Sequence, residues 1–97
     1  MATYIALSNF TDQGIRNVKD STKRADAVKE AAKKFGANMT QIYWTLGHYD
    51  LIAIIEAPDD TSATAFALAI GAAGNVRTQT LRAFSKEEMN GILGKMA

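Results

Sequence analysis

The 97-residue chain has no cysteine, a single histidine and a single proline. Without cysteine it can form no disulfide, no thiolate nucleophile and no cysteine-built zinc site, and one histidine excludes a histidine-cluster metal centre. We therefore expect neither a metal nor a cofactor. No apolar stretch approaches the roughly 20 residues that cross a bilayer, and the first residues lack the basic segment of a secretory signal. These absences predict a cytoplasmic protein that makes no membrane contact.

The chain also lacks an excess of charge of either sign, since it has eleven Lys and Arg and ten Asp and Glu, which give a net charge of +1. This balance gives no general attraction for nucleic acid, which we exclude as an expected partner. Residues 16–34 hold seven basic and three acidic side chains, and we interpret them as the solvated face of a helix. Hydrophobic residues make up 47% of the chain, so we expect it to fold, as one domain over residues 1–97.

Hydrophobic periodicity predicts seven elements in the order β-α-β-β-α-β-α. The predicted strands are 2–10, 38–46, 51–55 and 76–84, and the predicted helices are 15–35, 61–73 and 86–96.

Three of these elements carry a specific packing prediction. In strand 38–46, simple alternation places Ile42 and Trp44 on one face and Met39 on the other. Helix 61–73 contains no charged residue, which predicts burial on more than one side. The last helix begins with the capping-box pattern that starts at Ser85, and we expect it to dock on the domain through an apolar stripe. The stripe consists of Met89, Ile92, Leu93 and Met96.

The order β-α-β-β-α-β is that of the split β-α-β, or ferredoxin-like, motif. It predicts an α+β domain with an antiparallel sheet of strand order 4-1-3-2, both helices on one face, and the short last helix appended. The other face stays uncovered, although strand 51–55 is apolar on both sides. Exposed apolar patches usually mark an interface, so we expect a homodimer through the sheets, with higher oligomers left open.

Five short motifs resemble the GYD-domain family, which is named for a Gly-x-Tyr-Asp pattern, and the resemblance covers nearly the whole chain. The motifs are Thr11–Arg16, Tyr43–Thr45, Gly47-x-Tyr49-Asp50, Ala57–Asp60 and Gly74–Thr78. The resemblance implies a dimeric α+β barrel, in which two ferredoxin-like protomers pack sheet on sheet. It implies no mechanism, because no catalytic residues are established for the family.

The predicted topology brings residues 9–14, 47–50 and 74–78 to one end of the sheet. The start of the first helix supplies backbone N–H groups and partial positive charge there, and nearby arginines would favour a small anionic metabolite. The candidate ligand-binding residues are Thr11, Arg16, Trp44, Tyr49, Asp50 and Arg77.

Each candidate also has a structural interpretation. Asp50 is typical of hairpin turns, and Tyr49 could equally cover the core. Arg77 could form an ion pair with Asp12 or Asp50 instead of clamping a carboxylate. Trp44 is more typical of a core or a dimer interface than of ligand stacking.

Three functions remain open at this point. The first is a homodimeric module that binds or senses an anionic metabolite. The second is a cofactor-independent enzyme, of an oxygenase or isomerase type that the dimeric barrels include, with His48, Tyr49 and Asp50 as acid–base candidates. His48 occupies the variable position of the motif, which disfavours it as a catalytic group. The third is a structural, oligomerisation or partner-binding role for helix 61–73.

Overall fold

The computed structural model describes residues 1–96, so Ala97, the last residue of the predicted domain, lies outside it. Four antiparallel strands form one sheet: β1 (Ala2–Phe10), β2 (Asn38–Trp44), β3 (Leu51–Ala57) and β4 (Val76–Ala83). Their order is β2-β3-β1-β4, which reads 4-1-3-2 from the β4 edge. The predicted α+β class, with its four-stranded antiparallel sheet, is confirmed.

The first predicted helix is divided into two. Helix α1 (Asp12–Arg16) is followed by a 3₁₀ turn at Val18–Asp20 and then by α2 (Ser21–Lys33). Asn17 leaves the helical conformation, and the Arg24 guanidinium donates to the carbonyl of Asn17 at 2.7 Å and to that of Gly14 at 3.4 Å. The Asn17 carbonyl also accepts the backbone N–H of Asp20 at 3.0 Å, so the guanidinium adds to the hydrogen bonding at the end of α1. A side chain from the second helix therefore stabilises the break before it.

The core lies between the sheet and helices α2 and α3 (Asp60–Ala72). Alternation along β1 buries Tyr4, Ala6 and Ser8 on this side. The rings of Phe35 and Phe66 pack against each other with centroids 5.8 Å apart. Most of the other buried positions are small: Ala32, Ala37, Ala53, Ala57 and Ala63. A core built mainly from alanine leaves room between its two layers.

A bulge in β2 overturns the predicted alternation of that strand. The register shifts between Met39 and Gln41, so Met39 lies opposite Ile55 while Trp44 lies opposite Leu51. The extra residue, Thr40, returns Met39 to the face of Ile42 and Trp44. The prediction that Met39 lies on the opposite face is therefore wrong, because a single inserted residue reverses the alternation before it.

The face of the sheet turned away from the helices carries a cluster of apolar side chains, which we call the open face. In the register of the strands, Ile5 lies between Ile54 and Leu81, and Leu7 lies opposite Ile52. The predicted two-sided apolarity of β3 is therefore present, since Ala53 and Ile55 face the helices. No helix of this protomer covers the open face among residues 1–96.

The last helix, α4 (Lys86–Gly94), begins as predicted but does not dock. Ser85 and Glu88 form both bonds of the capping box, each at 3.0 Å. The Ser85 backbone N–H, which donates to the carboxylate, holds the pKa of Glu88 below its ordinary value. The predicted docking stripe is exposed, up to 78% at Met96. The prediction that α4 docks on its own protomer is therefore wrong. Amphipathic spacing identifies an apolar face but does not show which surface covers it.

The tight approach of α1 to the start of β4 gives a stability prediction. A Cβ added to Gly14 would lie 1.9 Å from the carbonyl oxygen of Asn75, whereas one added to Gly71 in α3 would meet nothing within 4 Å. We expect Gly14→Ala to lower the free energy of unfolding by about 2–4 kcal/mol, because backbone must move. The matched control Gly71→Ala should raise it by about 0.5–1 kcal/mol. Urea denaturation of both variants measures this, and equal midpoints would contradict the close approach.

Candidate functional site

The three motifs predicted to converge do meet at one end of the sheet, which we call the loop end (residues 9–14, 47–50 and 74–78). The backbone N–H of Thr11 donates to the carbonyl of Asn75 at 3.1 Å, and its hydroxyl donates to the carbonyl of Gly74. The Asp50 carboxylate accepts the backbone N–H of Phe10 at 2.9 Å. Hydrogen bonds to backbone groups therefore join all three segments.

The Gly-x-Tyr-Asp segment closes the β2–β3 hairpin. Gly47 has a φ of +105°, a conformation that residues with a side chain rarely adopt. The N–H of Thr45 donates to the carbonyl of Asp50, and the Thr45 hydroxyl donates to that of Tyr49. The backbone N–H of Asp50 donates in turn to the backbone carbonyl of Ser8 in β1. These contacts give Asp50 the structural role in the hairpin that was the alternative to ligand binding.

The six candidate ligand-binding residues do not line one pocket. Thr11 caps α1 by accepting the N–H of Gly14 at 3.1 Å, and Asp50 is held by Phe10. The Tyr49 hydroxyl donates to Gln79 at 3.2 Å; Gln79 lies opposite Leu7, on the open face. Trp44 lies on the helix side of the sheet.

The two candidate arginines are exposed. Arg77 pairs in register with Asn9, which belongs to the open face, and Arg16 ends α1. The alternative ion pair of Arg77 with Asp12 or Asp50 does not form among residues 1–96. The backbone segments converge, but Arg77 and the Tyr49 hydroxyl lie on the open face while Trp44 lies on the helix side of the sheet.

The acid–base candidates are not assembled around a cavity. His48 is exposed in the turn, and both Tyr49 and Asp50 are engaged in the hydrogen bonds described above. In the described part of the chain, no group of three metal-ligating side chains comes together. None of its helices has the length and apolar character required to cross a membrane.

A mainly apolar cavity lies elsewhere, between the helix side of the sheet and helices α2 and α3. It has a volume of about 260 Å³ and is partly open to solvent. Its walls are mainly apolar, with Trp44 and Phe66 among them, and Ser8, Thr78 and Arg24 supply polar groups. Sequence reasoning missed this cavity. The available signal was the run of small residues at inward positions on strands and helices alike.

A cluster of polar side chains also lies beside the start of α3. The Tyr4 hydroxyl donates to the Asp60 carboxylate, and this bond, together with burial, raises the pKa of Tyr4 above its ordinary value. The Arg82 guanidinium lies 5.6 Å from the centroid of the Tyr4 ring. Asp59 accepts the N–H of Ser62 at 2.8 Å as the cap of α3, which lowers its pKa. Tyr4 therefore stays protonated near neutral pH, and the cluster fixes the start of α3 against the sheet.

The contacts of the Gly-x-Tyr-Asp segment predict how it responds to mutation. Asp50→Ala should lower the free energy of unfolding by about 1–3 kcal/mol, because it leaves the Phe10 N–H without its charged acceptor. Tyr49→Phe should change it by less than about 0.5 kcal/mol, because the bond to Gln79 is exposed. Thermal and urea melts of both variants compare the two effects. Wild-type stability in Asp50→Ala would show that the carboxylate does not hold the loop end.

Comparison with known proteins agrees with this fold. A family model described as the GYD domain matches residues 4–93. A relative from Thermus thermophilus, named "Glutamine synthetase and cystathionine beta-lyase binding protein", is 33% identical over 84 residues, which cover 86% of this chain and 88% of the relative.

A crystal structure of a protein from Thermus thermophilus superposes with a TM-score of 0.55 at 24% identity, covering 88% of this chain and 95% of the other. At that identity the likeness concerns the fold alone. The match of the family model over nearly the whole chain carries the assignment: the chain belongs to the GYD-domain family.

Proposed function

We propose that this chain is a single-domain protein-binding module that works as a homodimer. The observation that carries the proposal is the outer face of α3, which is exposed and uncharged. The Thermus relative is named for binding two enzymes, and its name supports a role in binding other proteins. None of the three acid–base candidates lines the cavity, which favours binding over catalysis.

The outer face of α3 differs from that of an ordinary surface helix. Such helices normally turn charged and polar residues to solvent, but after Asp60 the helix has no charged residue. Leu68 is 69% exposed at the centre of this face. The other exposed residues are Thr61, Thr64, Ala65, Ala69, Gly71 and Ala72.

Only Ala63 and Phe66 of α3 are buried, so the expectation of burial on more than one side is wrong for the protomer. Small side chains allow another backbone to approach closely, and the exposed Leu68 can enter an apolar depression on a partner. We infer that a second protein covers this face.

The homodimer uses a different surface. The open face carries Ile5, Leu7, Ile52, Ile54 and Leu81 in adjacent strands. A second copy packed on this face would bury both clusters at once, as in sheet-on-sheet packing. Helix α3 lies on the opposite side of the sheet, so dimer formation leaves it accessible. Each dimer would then present two α3 surfaces.

A small anionic metabolite at the loop end is a second proposal. Arg77 is exposed and makes no ion pair with another residue in the range 1–96. Its guanidinium is therefore available to a carboxylate. The Tyr49 hydroxyl lies on the same face of the sheet, whereas Trp44 lies on the other.

The protein-binding proposal is tested by the two enzymes in the relative's name, glutamine synthetase and cystathionine β-lyase, purified from the same organism as this chain. Biolayer interferometry should detect binding of the wild-type chain to at least one of them. Leu68→Lys should weaken that binding at least about tenfold, or roughly 1.4 kcal/mol, because it places a charge in the apolar contact.

The matched control is Leu46→Lys, since Leu46 is fully exposed in the hairpin and distant from α3 in the chain. It should leave the affinity within about twofold of the wild type. Circular dichroism checks that both variants fold. Failure of the wild type to bind either enzyme, or an equal loss in Leu46→Lys, would contradict the proposed surface.

A further inference from the structure

The cavity on the helix side of the sheet is too large to be a packing defect. Protein interiors contain few voids larger than a water molecule. This one measures about 260 Å³, more than the engineered apolar cavity of about 150 Å³ that binds benzene. Small side chains on both layers create it: Ala6 and Ala53 on the strands, Ala63 and Ala67 on α3. Its size and walls suit a compact apolar group such as an aromatic ring.

A pair of hydroxyl groups forms one polar spot in the mainly apolar wall. Ser8, which is 7% exposed, and Thr78 lie with their hydroxyl oxygens 2.9 Å apart, and both line the cavity. Two hydroxyls carry two hydrogens, and only one of these is used in the bond between them. The second hydrogen can donate to an acceptor atom inside the cavity.

Arg24 supplies a positive charge to the same cavity. It lines the wall, and its two hydrogen bonds go to the uncharged carbonyls of Asn17 and Gly14. Arg24 has no carboxylate partner in the range 1–96. A guanidinium has five N–H donors in a planar fork that matches a carboxylate. The fork is therefore held in place by backbone carbonyls while its charge stays uncompensated.

From these three features we propose that the cavity binds a small apolar carboxylic acid. The apolar body lies between the sheet and α2 and α3, beside Trp44 and Phe66, and the carboxylate pairs with Arg24. The Ser8–Thr78 hydroxyl pair donates to an acceptor atom of the ligand. The cavity reaches the loop end at Thr78, but neither Arg77 nor the exposed Leu68 of α3 lines it, so binding there requires neither a protein partner nor Arg77.

The test uses 3-phenylpropanoate and its neutral counterpart 3-phenylpropanamide as probes. Trp44 is the only tryptophan of the chain and lines the cavity, so its fluorescence reports occupancy, and calorimetry gives the affinities. For the wild type we expect saturable binding of both probes. The carboxylate should bind at least about tenfold more tightly than the amide, because the amide lacks the ion pair with Arg24.

Two arginine variants locate the charge contact. Arg24→Met should remove the preference for the carboxylate and leave amide binding within about twofold, which also shows that the cavity remains formed. Arg77→Met is the matched control and should keep the full preference. A loss of preference in Arg77→Met, or an unchanged preference in Arg24→Met, would overturn the assignment of Arg24.

A cavity-filling variant locates the apolar contact. Ala53→Leu should abolish binding of both probes, because the added side chain occupies the space of the ring. If Ala53→Leu does not fold, nuclear Overhauser contacts between the probe's ring and Trp44 of the wild type replace it. Absence of binding to the wild type, binding that survives in folded Ala53→Leu, or absence of those contacts would overturn the proposal. None of these measurements involves a protein partner, so a negative result would not bear on the proposal that the outer face of α3 binds another protein.

Discussion

The rest of the structure depends on one constraint: both faces of the sheet are apolar, but helices cover only one. Helices α2 and α3 pack on the side of Tyr4 and Ala6, while Ile5 and Ile54 remain on the open face. The exposed apolar surface is therefore a property of the architecture, and a second copy of the chain packed sheet on sheet, as proposed above, would cover it.

The same constraint separates the surfaces that can act in binding. The proposed sheet-on-sheet dimer would use the open face and would turn the helix layer outward. The outer side of α3, with Leu68 at its centre, then remains accessible to another protein. The cavity beneath α2 and α3 also remains accessible, because it lies on the helix side of the sheet. The loop end, held by Asp50 and Thr11, fixes the strands that define these two sides.

The sequence predicted those features that follow from alternation and topology. β1 and β3 alternate regularly, so their faces were predicted correctly, and the order of elements along the chain was enough to place Asp50 near Phe10 and Thr11 near Gly74. The site was less predictable. Tyr49 and Trp44 belong to neighbouring segments, yet their side chains lie on opposite faces of the sheet. Meeting at one end of a sheet does not determine the side to which a residue points.

The features that were missed depend on contacts that a local pattern does not contain. The bulge at Thr40 is one inserted residue that reverses the side of Met39. At the break after α1, the Arg24 guanidinium reaches back from α2 to the carbonyl of Asn17. The exposed stripe of α4 and the exposed face of α3 both look like buried faces in sequence, because apolar spacing is the same whether the covering surface belongs to the protomer or to another molecule.

The central claim is that two copies meet through their open faces and turn their helices outward. Because the chain has no cysteine, the single variant Lys29→Cys can carry one spin label on the exposed side of α2. Packed sheets lie about 10 Å apart and each helix layer adds about 10 Å more, so double electron–electron resonance should give a separation of about 30 Å or more between the two labels. A separation below about 20 Å would place the helices in the interface, and the absence of any dipolar coupling between copies would show a monomer; either result would contradict the account.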